Sequence, residues 1–169
     1  MRKTLILGSL LLAGGSTLAV ALDKVTTADI TQFRGLEDKL WQAWNTRLNP
    51  ADAAAFYSKN PNNLYFDFAP LKFTGWEEYQ RVASKALAGG GHATTHIHDD
   101  FTVIKQGDLV VTAFTFDVEF ARGEAKPQTL TARETDVWTK EGGKWVIVHQ
   151  HMSTVVMMEP PASTAGTNK

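Results

Sequence analysis

Two patterned segments that flank a tight turn near the end of the chain constrain its fold more than any other feature. Residues 131–153 read TARETDVWTKEGGKWVIVHQHMS. On both sides of Gly142-Gly143, apolar and polar residues alternate with the period of two that is typical of a strand with two different faces. The four residues Glu-Gly-Gly-Lys at the centre favour a β-hairpin turn. Because two strands alone are marginally stable in water, the hairpin predicts a larger sheet.

Helical patterns come first in the chain and strand patterns follow. One helix begins near Thr26 and ends before Asn49, a short second helix begins at Pro50, and a third runs from Gly75 to the glycines at 89–91. A short strand covers 64–68, and later strands cover 94–104, 109–120 and the two halves of the hairpin. This order predicts one α+β domain, with helices on one face of a curved sheet.

The two ends of the chain differ from this domain. Residues 1–21 combine a basic start, an apolar run and the small residues Ala19-Val20-Ala21, which is typical of a cleaved signal peptide. Retention as a membrane anchor is the alternative, although the run is interrupted before it reaches the roughly 20 residues that span a bilayer. Residues 159–169 are rich in Pro, Ser, Thr and Gly and predict a disordered tail. We therefore expect a periplasmic or secreted protein whose folded domain covers 22–158.

Charge and cysteine content exclude several classes of function. Without residues 1–21, the chain carries 15 basic and 18 acidic residues. This acidic balance argues against nucleic acid or an anionic membrane as a partner. The chain has no cysteine, so it can form neither a disulfide nor a thiolate metal site. We expect no cofactor, no nucleic-acid partner and no membrane contact after signal cleavage.

Several motifs resemble one fold family. They are the helix with Trp41 and Trp44, the strand with Asp67-x-x-Pro70 that leads to Gly75-Trp76-Glu77-Glu78-Tyr79, and the hairpin motifs Arg133-x-Thr135-x-Val137-Trp138 and Trp145-x-Ile147-Val148-His149-x-His151-x-Ser153. Over about residues 29–156 they resemble the SnoaL-like branch of the nuclear transport factor 2-like superfamily. The last third also resembles the association domain of calcium/calmodulin-dependent protein kinase II.

This resemblance implies a cone-shaped α+β fold, in which the N-terminal helices pack on the concave face of a strongly curved antiparallel sheet. It also implies a pocket at the open end of the cone and a homodimer that packs through the sheet. Because one fold hosts many activities, the resemblance does not name a reaction.

The first candidate for chemistry is Asp67, which lies among aromatic residues of the short strand. A carboxylate that loses hydration has a raised pKa and becomes a better proton acceptor. The position resembles the general base of the ketosteroid isomerases. In this chain the proline follows three residues later instead of directly, and Trp41 and Trp44 occupy the helix positions where a tyrosine donor would be expected. Asp67 therefore has three interpretations: strand capping, ligand binding or catalysis.

Two histidine pairs, His96-x-His98 and His149-x-His151, lie in predicted strands. Four imidazoles on one surface would suit zinc, copper or nickel. The strand order of the family, however, separates the pairs by two strands, which places them on the order of 14 Å apart. One ion cannot bridge that distance. We expect no metal site, and a role for these histidines in an interface or in hydrogen bonding.

The alternation in the hairpin divides its side chains between two faces. In the kinase association domain, pocket arginines match Asp136 and Met152, so the resemblance implies that this face lines the cavity. The predicted pocket residues are Trp44, Tyr65, Asp67, Glu134, Asp136, Trp138, Gln150 and Met152. The opposite face includes Trp145 and Ile147, and its predicted contacts with a dimer partner are Arg133, Thr135, His149, His151 and Ser153. A pocket with carboxylates and without those arginines would prefer neutral, apolar or cationic molecules.

Three hypotheses for the function follow. The first is an exported domain that binds a small, largely apolar molecule in the cone pocket. The second is a proton-transfer enzyme (an isomerase, cyclase or dehydratase) with Asp67 as its base. The third is a noncatalytic assembly module, which would have a filled cavity and a large apolar outer sheet. An enzyme differs from a binder because its acid and its hydrogen-bond donor must converge on one point in the pocket.

Overall fold

The computed structural model describes residues 22–68, 70–121, 123 and 126–154. The predicted signal peptide at 1–21 and the predicted tail at 159–169 lie outside the described residues, so both stay predictions. Within the described residues, every helix is too short or too polar to cross a bilayer.

The first helix, α1, spans Thr27–Arg47 and begins where the sequence predicts it. A capping box fixes this start: the Thr26 side chain accepts a hydrogen bond from the Asp29 backbone N–H, and the Asp29 carboxylate accepts one from the Thr26 backbone N–H. Leu48 ends the helix in the left-handed conformation, with φ 48°. The short helix α2, Pro50–Ala53, continues into a 3₁₀ turn at Ala54–Phe56.

The third helix, α3, spans Gly75–Ala86 and starts at a glycine that the fold requires. Gly75 has φ +71°, and its N–H donates to the Asn63 carbonyl oxygen at 2.7 Å. A Cβ at this position would lie 3.1 Å from both the Cα and the carbonyl oxygen of Pro61. Only glycine adopts this conformation without strain at so close an approach, so the start of α3 requires glycine at this position.

Within the described residues the sheet contains seven strands. They are β1 Leu64–Phe66, β2 Phe73–Thr74, β3 His92–Ile97, β4 Thr102–Gln106, β5 Leu109–Ala121, β6 Gln128–Glu141 and β7 Lys144–Thr154. The order across the sheet is β2-β1-β7-β6-β5-β3, and β4 also pairs with β5. Neighbours run antiparallel except β1 and β7, which are parallel, so the sheet is mixed. The predicted α+β fold, with the helices against a curved sheet, is confirmed. The sheet was predicted to be antiparallel, whereas its β1–β7 pair is parallel, because the last strand returns beside β1 in the same direction.

The structure divides the continuous strand predicted at 94–104 into β3 and β4. Both pair with the long strand β5, one beside its second half and the other beside its first half. In the connection between them, the Asp100 carboxylate accepts hydrogen bonds from the backbone N–H and the hydroxyl of Thr115, at 3.0 and 2.8 Å. These bonds hold the chain in a turn, which interrupts the strand.

A bulge in β7 changes which side chains of the hairpin share a face. Val137 pairs with His149, but its neighbour Trp138 pairs with Ile147, so Val148 is an extra residue without a partner in the ladder. Ile147 therefore lies on the inner face with Trp138, where it is fully buried. Trp145 also packs inward, with its ring 4.9 Å from that of Phe33. Both residues were expected on the opposite face, because simple alternation does not allow for the bulge.

The core between the helices and the sheet is strongly aromatic. Tyr57 stacks on Trp76 with ring centroids 4.1 Å apart, and Phe73 stacks on Tyr79 at 4.5 Å. Burial of each such side chain contributes on the order of 2–3 kcal/mol. The same core also encloses several polar and charged side chains: Glu37, Ser58, Thr112, Glu134, Asp136 and Gln150. Burial of acidic side chains is costly unless they are paired, so this part of the core is a candidate for a functional site.

Candidate functional site

A cavity of about 210 Å³ lies between α1, α3 and the inner face of the sheet. Its wall is mostly apolar and is formed by Leu40, Trp41, Trp44, Leu48, Phe68, Phe73, Ala83, Ala86, Leu87, Phe120 and Met152. The polar side chains that line it are Asn45, Asp67, Tyr79, Glu134 and Gln150. An apolar wall with a few converging polar groups is typical of a site for a small molecule.

Three acidic side chains meet beside this cavity, and we refer to Glu37, Glu134 and Asp136 as the carboxyl cluster. Each is at most 1% exposed, and one oxygen of each lies within 4.8 Å of an oxygen of the other two. Glu134 lines the cavity, whereas Glu37 and Asp136 lie in the core next to it. The cluster therefore borders the cavity through a single carboxyl group.

Local geometry explains why these three residues come together. Glu37 follows Phe33 by four residues and precedes Leu40 by three, so it lies on the apolar face of α1 that packs on the sheet. Glu134 and Asp136 are two residues apart on β6, so both point from the inner face of the sheet. The helix and the strand thus direct three acidic side chains into one volume.

Neutral donors form hydrogen bonds with two members of the carboxyl cluster, Glu37 and Glu134. Glu37 Oε1 accepts hydrogen bonds from the hydroxyl of Thr112 at 2.6 Å and from Trp138 Nε1 at 3.0 Å. Glu134 accepts one from Trp41 Nε1 at 3.0 Å and one from Gln150 Nε2 at 2.5 Å.

Asp136 is the least satisfied member of the cluster. Among the described residues, its one contact with a donor outside the carboxyl cluster is with Gln150 Nε2, at 3.5 Å. Its carboxyl group also lies within hydrogen-bond reach of Glu134 and Glu37, and no described donor outside the cluster reaches Asp136 Oδ1 or Glu37 Oε2. The cluster therefore has more acceptor oxygens than the surrounding donors satisfy.

Burial and mutual repulsion make these carboxyls weak acids. Burial raises the pKa of Glu37 to about 7, although hydrogen bonds from Thr112 and Trp138 oppose the shift. Burial, followed by repulsion from the other acidic groups, raises the pKa of Glu134 and of Asp136 well above the ordinary range. Within the described part of the chain, none of the three forms an ion pair with a basic side chain. Bound protons or a bound cation must therefore neutralise the cluster.

Asp67 lies at the cavity wall, directly after β1. One carboxylate oxygen accepts a hydrogen bond from the Phe68 backbone N–H at 2.6 Å, and the other accepts one from the Tyr79 hydroxyl at 2.8 Å. Burial raises the pKa of Asp67, and these two hydrogen bonds oppose the shift. The aromatic surroundings expected from the sequence are present, and α3 supplies the tyrosine donor that the first helix lacks.

Gln150 connects Asp67 to the carboxyl cluster. Its Oε1 accepts a hydrogen bond from the Tyr57 hydroxyl at 3.1 Å and lies 3.3 Å from the Tyr79 hydroxyl. Its Nε2 faces Glu134 on the opposite side. Burial raises the pKa of both tyrosines well above 10, so their hydroxyls stay neutral donors. A continuous chain of polar contacts therefore runs from Asp67 through Tyr79 and Gln150 to Glu134.

Five of the eight predicted pocket residues line the cavity: Trp44, Asp67, Glu134, Gln150 and Met152. The other three, Tyr65, Asp136 and Trp138, lie fully buried in the core around it. Sequence reasoning did not identify Glu37, Tyr57 or Tyr79 as part of this polar network. Glu37 could have been identified from the sequence, because an acidic residue in the middle of an apolar helical face is unusual. The tyrosines looked like ordinary members of the core.

The two histidine pairs lie on opposite sides of the sheet centre. Strands β6 and β5 separate β7, which carries His149 and His151, from β3, which ends just before His98. His98 contacts Thr115 Oγ1 at 2.8 Å and Asp117 Oδ2 at 3.1 Å. His149 Nδ1 lies 2.8 Å from the Leu64 carbonyl oxygen. The pairs therefore do not converge on one point.

The residues predicted to contact a dimer partner share one surface of β6 and β7, which we call the outer face: Arg133, Thr135, His149, His151 and Ser153. Arg133 Nε donates to the Ser153 hydroxyl at 2.9 Å, and Thr135 lies opposite His151. The ring of Phe66 lies 5.5 Å from both histidine rings. The structure thus brings all five side chains together on the side of the sheet away from the cavity.

A second and larger depression, of about 410 Å³, lies between α1 and β3. Its lining is more polar and includes exposed side chains such as Asp38, Gln42 and His92. It includes none of the carboxyl cluster. The smaller cavity is therefore the better candidate site, because its polar groups are buried and connected.

Comparison with known proteins finds one family model and several solved structures that are similar to this chain. The model of the SnoaL-like domain family matches residues 38–158. A nuclear transport factor 2-like protein of unknown function from Pseudomonas putida is 23% identical, with a TM-score of 0.66 over 80% of this chain and 93% of that one. A Streptomyces avermitilis protein of the same superfamily, provisionally described as a dehydratase, is 12% identical, with a TM-score of 0.68 over 78% and 100%.

A third structure is the association domain of calcium/calmodulin-dependent protein kinase II from Caenorhabditis elegans. It is 19% identical, with a TM-score of 0.59 over 75% of this chain and 96% of that one. At such identities these likenesses show a shared fold. Among curated proteins, none matches the chain at a significant level.

Proposed function

The chain belongs to the SnoaL-like domain family, and from this premise we propose that it binds a small, largely apolar molecule in the cavity between α1, α3 and the sheet. The observation that carries the proposal is the composition of the wall: apolar side chains surround one polar region, which we call the floor and which consists of Asp67, Tyr79, Gln150 and Glu134 in a chain of polar contacts. The volume of about 210 Å³ is below the range that suits drug-sized ligands, so the ligand is small.

Export is part of the same proposal. It rests on the basic start, the apolar run and the Ala-Val-Ala sequence of residues 1–21. A binding protein outside the cytoplasm would meet its ligand in the surrounding medium.

Mass spectrometry of small molecules released from the denatured, purified protein tests the binding proposal. Ala86→Phe, which introduces a large ring at the exposed rim of the cavity, should block entry and abolish copurification of the ligand. Ser84→Phe on the exposed side of the same helix is the matched control and should retain it. Retention of the ligand by both variants would show that it binds elsewhere, and absence of any ligand from the wild type and from added fragment mixtures would refute the proposal.

Proton transfer is a second candidate function, favoured by one specific observation. Asp67 and Tyr79 both line the cavity, and the Tyr79 hydroxyl donates its one proton to Asp67 at 2.8 Å, so the tyrosine orients a carboxylate that can accept a proton from a ligand. Burial raises the pKa of Asp67, which makes the carboxylate a stronger base. The likeness to a Streptomyces avermitilis protein described as a dehydratase supports the same reading.

Exchange of carbon-bound hydrogen of the identified ligand in D₂O, followed by NMR, tests this candidate. Asp67→Asn keeps the size of the side chain but removes the base, so exchange should slow by about two to four orders of magnitude. Asp38→Asn on the exposed surface of α1 is the control and should not change the rate. Unchanged exchange in Asp67→Asn would leave Asp67 a structural or ligand-binding role.

The noncatalytic assembly module has less support. Such a module would have a filled cavity and an apolar outer sheet, whereas the cavity has a volume of about 210 Å³ and the outer face carries Arg133, His149 and His151. Self-association remains compatible with a binding function. The likeness to a kinase association domain and the polar outer face together support a homodimer that packs through the sheet.

A further inference from the structure

We propose that the cavity selects a small protonated amine, in which an apolar body fills the wall and one ammonium group contacts Glu134. This inference rests on the proposed binding function and names the chemical class of its ligand. It follows from the charge of the floor, from unsatisfied buried oxygens and from the apolar wall.

The ionised groups of the cavity can carry only negative charge. Asp67 and Glu134 are the acidic side chains that line it, and none of the described side chains that line it is basic. Glu37 and Asp136 stand behind Glu134, with oxygens within 4.8 Å of one another. Four carboxyl groups thus lie at the floor of the cavity or directly behind it, and no basic side chain among the described residues that line the cavity balances their charge. An ammonium group of a ligand supplies that charge.

The unsatisfied oxygens are a separate observation. Glu37 Oε2 and Asp136 Oδ1 are fully buried, and no described donor outside the carboxyl cluster reaches them. Buried polar atoms in folded proteins are normally hydrogen-bonded. A positive charge at Glu134 lowers the electrostatic cost of all three carboxyls, because they lie so close together.

The rest of the cavity fits the apolar part of such a ligand. Trp44, Phe73 and Met152 belong to its wall, and aromatic and thioether groups pack well against hydrocarbon and tolerate a nearby cation. A ligand carboxylate would instead approach the acidic floor with like charge. An alcohol would fill the space without supplying charge. The expected order of affinity is therefore amine, then alcohol, then carboxylate.

Amine binding should release protons. Glu134 is faced by Glu37 from α1, by Asp136 from β6, by Asp67 after β1 and by Tyr79 from α3. Tyr57 also borders this network. In the empty cavity burial and repulsion raise the pKa of Glu134, which therefore holds a proton more readily. A bound ammonium favours the carboxylate form, so the proton leaves and binding strengthens as the solution becomes more basic, as long as the amine stays protonated.

Three ligands of nearly equal size test the inference: benzylamine, benzyl alcohol and benzoate. Titration calorimetry at neutral pH, in two buffers with different ionisation enthalpies, gives both affinity and protons released. Benzylamine should bind at least about tenfold more tightly than benzyl alcohol, and only benzylamine should release protons. Benzoate should bind more weakly than either.

Glu134→Gln should bring benzylamine and benzyl alcohol to similar affinity and abolish proton release. Continued binding of benzyl alcohol shows that the variant is folded. Asp136→Asn is a second variant, at a residue that lies behind Glu134 and does not line the cavity. It should reduce the preference for benzylamine in part. Asp108→Asn, in the exposed turn between β4 and β5, should retain it fully.

The outcomes separate the two proposals. Binding of benzyl alcohol as tight as that of benzylamine, or tighter binding of benzoate, would overturn the amine inference and leave the binding function intact. Failure of all three ligands to bind would count against both. A preference for benzylamine without proton release would also contradict the argument, because the ammonium would then not act on the buried carboxyls.

Discussion

Asp136 is the residue at which the buried network is least satisfied. Its contact with Gln150 is long, at 3.5 Å, and its second oxygen has no donor outside the carboxyl cluster among the described residues. Repulsion from Glu134 and Glu37 adds to the cost of burial. Stability should therefore depend on whether the carboxyl cluster carries protons.

We predict that the protein is less stable at about pH 8 than at about pH 5. The pKa of Glu37 rises from 4.5 to about 7 on folding, so the folded state binds its proton more tightly than the unfolded state does. This contribution is complete below the unfolded value and is lost as the pH rises through about 7. For Glu37 alone the loss is on the order of 3 kcal/mol. Urea unfolding at the two pH values measures it, and equal free energies of unfolding would contradict the prediction.

Asp136→Asn should reverse much of this loss. The substitution removes one buried charge and introduces an amide N–H₂ near Glu37 and Glu134, which can donate to an unsatisfied oxygen. We expect a higher free energy of unfolding at basic pH and a flatter pH dependence. Asp108→Asn, in the exposed turn between β4 and β5, is the control and should reproduce the wild-type profile. A variant less stable than the wild type at basic pH would show that Asp136 is needed as a charge.

The sequence identified Asp67 as a candidate site residue but did not identify the residues of its hydrogen-bond network, and the reason is physical. The aromatic neighbours of Asp67 are adjacent in sequence, so the loss of hydration could be anticipated. Glu37 and Tyr79 lie on two helices, and their contact with the network depends on how those helices pack on the sheet. Alternation grouped Glu134 with Gln150, and the resemblance assigned that group to the cavity. The grouping is correct because both residues belong to the part of the ladder that pairs with residues 149–154 of β7, beyond the bulge.

Two glycines in helices offer a prediction at the scale of the element. Gly75→Ala should destabilise the protein by about 1–3 kcal/mol, since alanine at φ +71° is strained and its Cβ would meet Pro61 at 3.1 Å. Gly35→Ala lies within α1, where a Cβ meets nothing within 4 Å, so it should stabilise the protein by up to about 1 kcal/mol. Urea unfolding of both variants checks this. Effects of the same sign would show that local packing dominates.

Element boundaries were predictable where local chemistry determines them. The capping box at Thr26 and Asp29 begins α1, and Asn49-Pro50 begins α2. The break between β3 and β4 follows from hydrogen bonds between Asp100 and Thr115 of another strand, so alternation along one segment did not reveal it. The parallel pairing of β1 with β7 likewise joins distant segments, which a local pattern cannot identify.

For the molecule as a whole, we predict a homodimer that buries the outer face. Arg133→Glu places a negative charge on that face and should weaken the dimer. Arg81→Glu makes the same charge change on the exposed side of α3 and should leave the dimer intact. Sedimentation over a range of concentrations measures both effects. A monomeric wild type at micromolar concentration would contradict the prediction.

We also predict that the mature protein begins at or near Leu22, outside the cytoplasm. N-terminal sequencing of protein from an exporting cell checks this. Ala21→Arg should block cleavage, because signal peptidases require a small residue at the site. Soluble cytoplasmic protein that retains Met1 would rule out the targeting hypothesis.

The bulge at Val148 has a consequence for comparing this gene with its relatives. Removal of that single codon would bring His149 next to Ile147 and restore a regular ladder, and every other residue of β7 would keep its present face. The hairpin can therefore lose or gain one residue here without a change of its two surfaces. For any relative whose ladder is regular, an alignment should place a one-residue gap at this position. A gap placed at the Gly142-Gly143 turn would assign Trp145 and Ile147 to solvent instead of to the core.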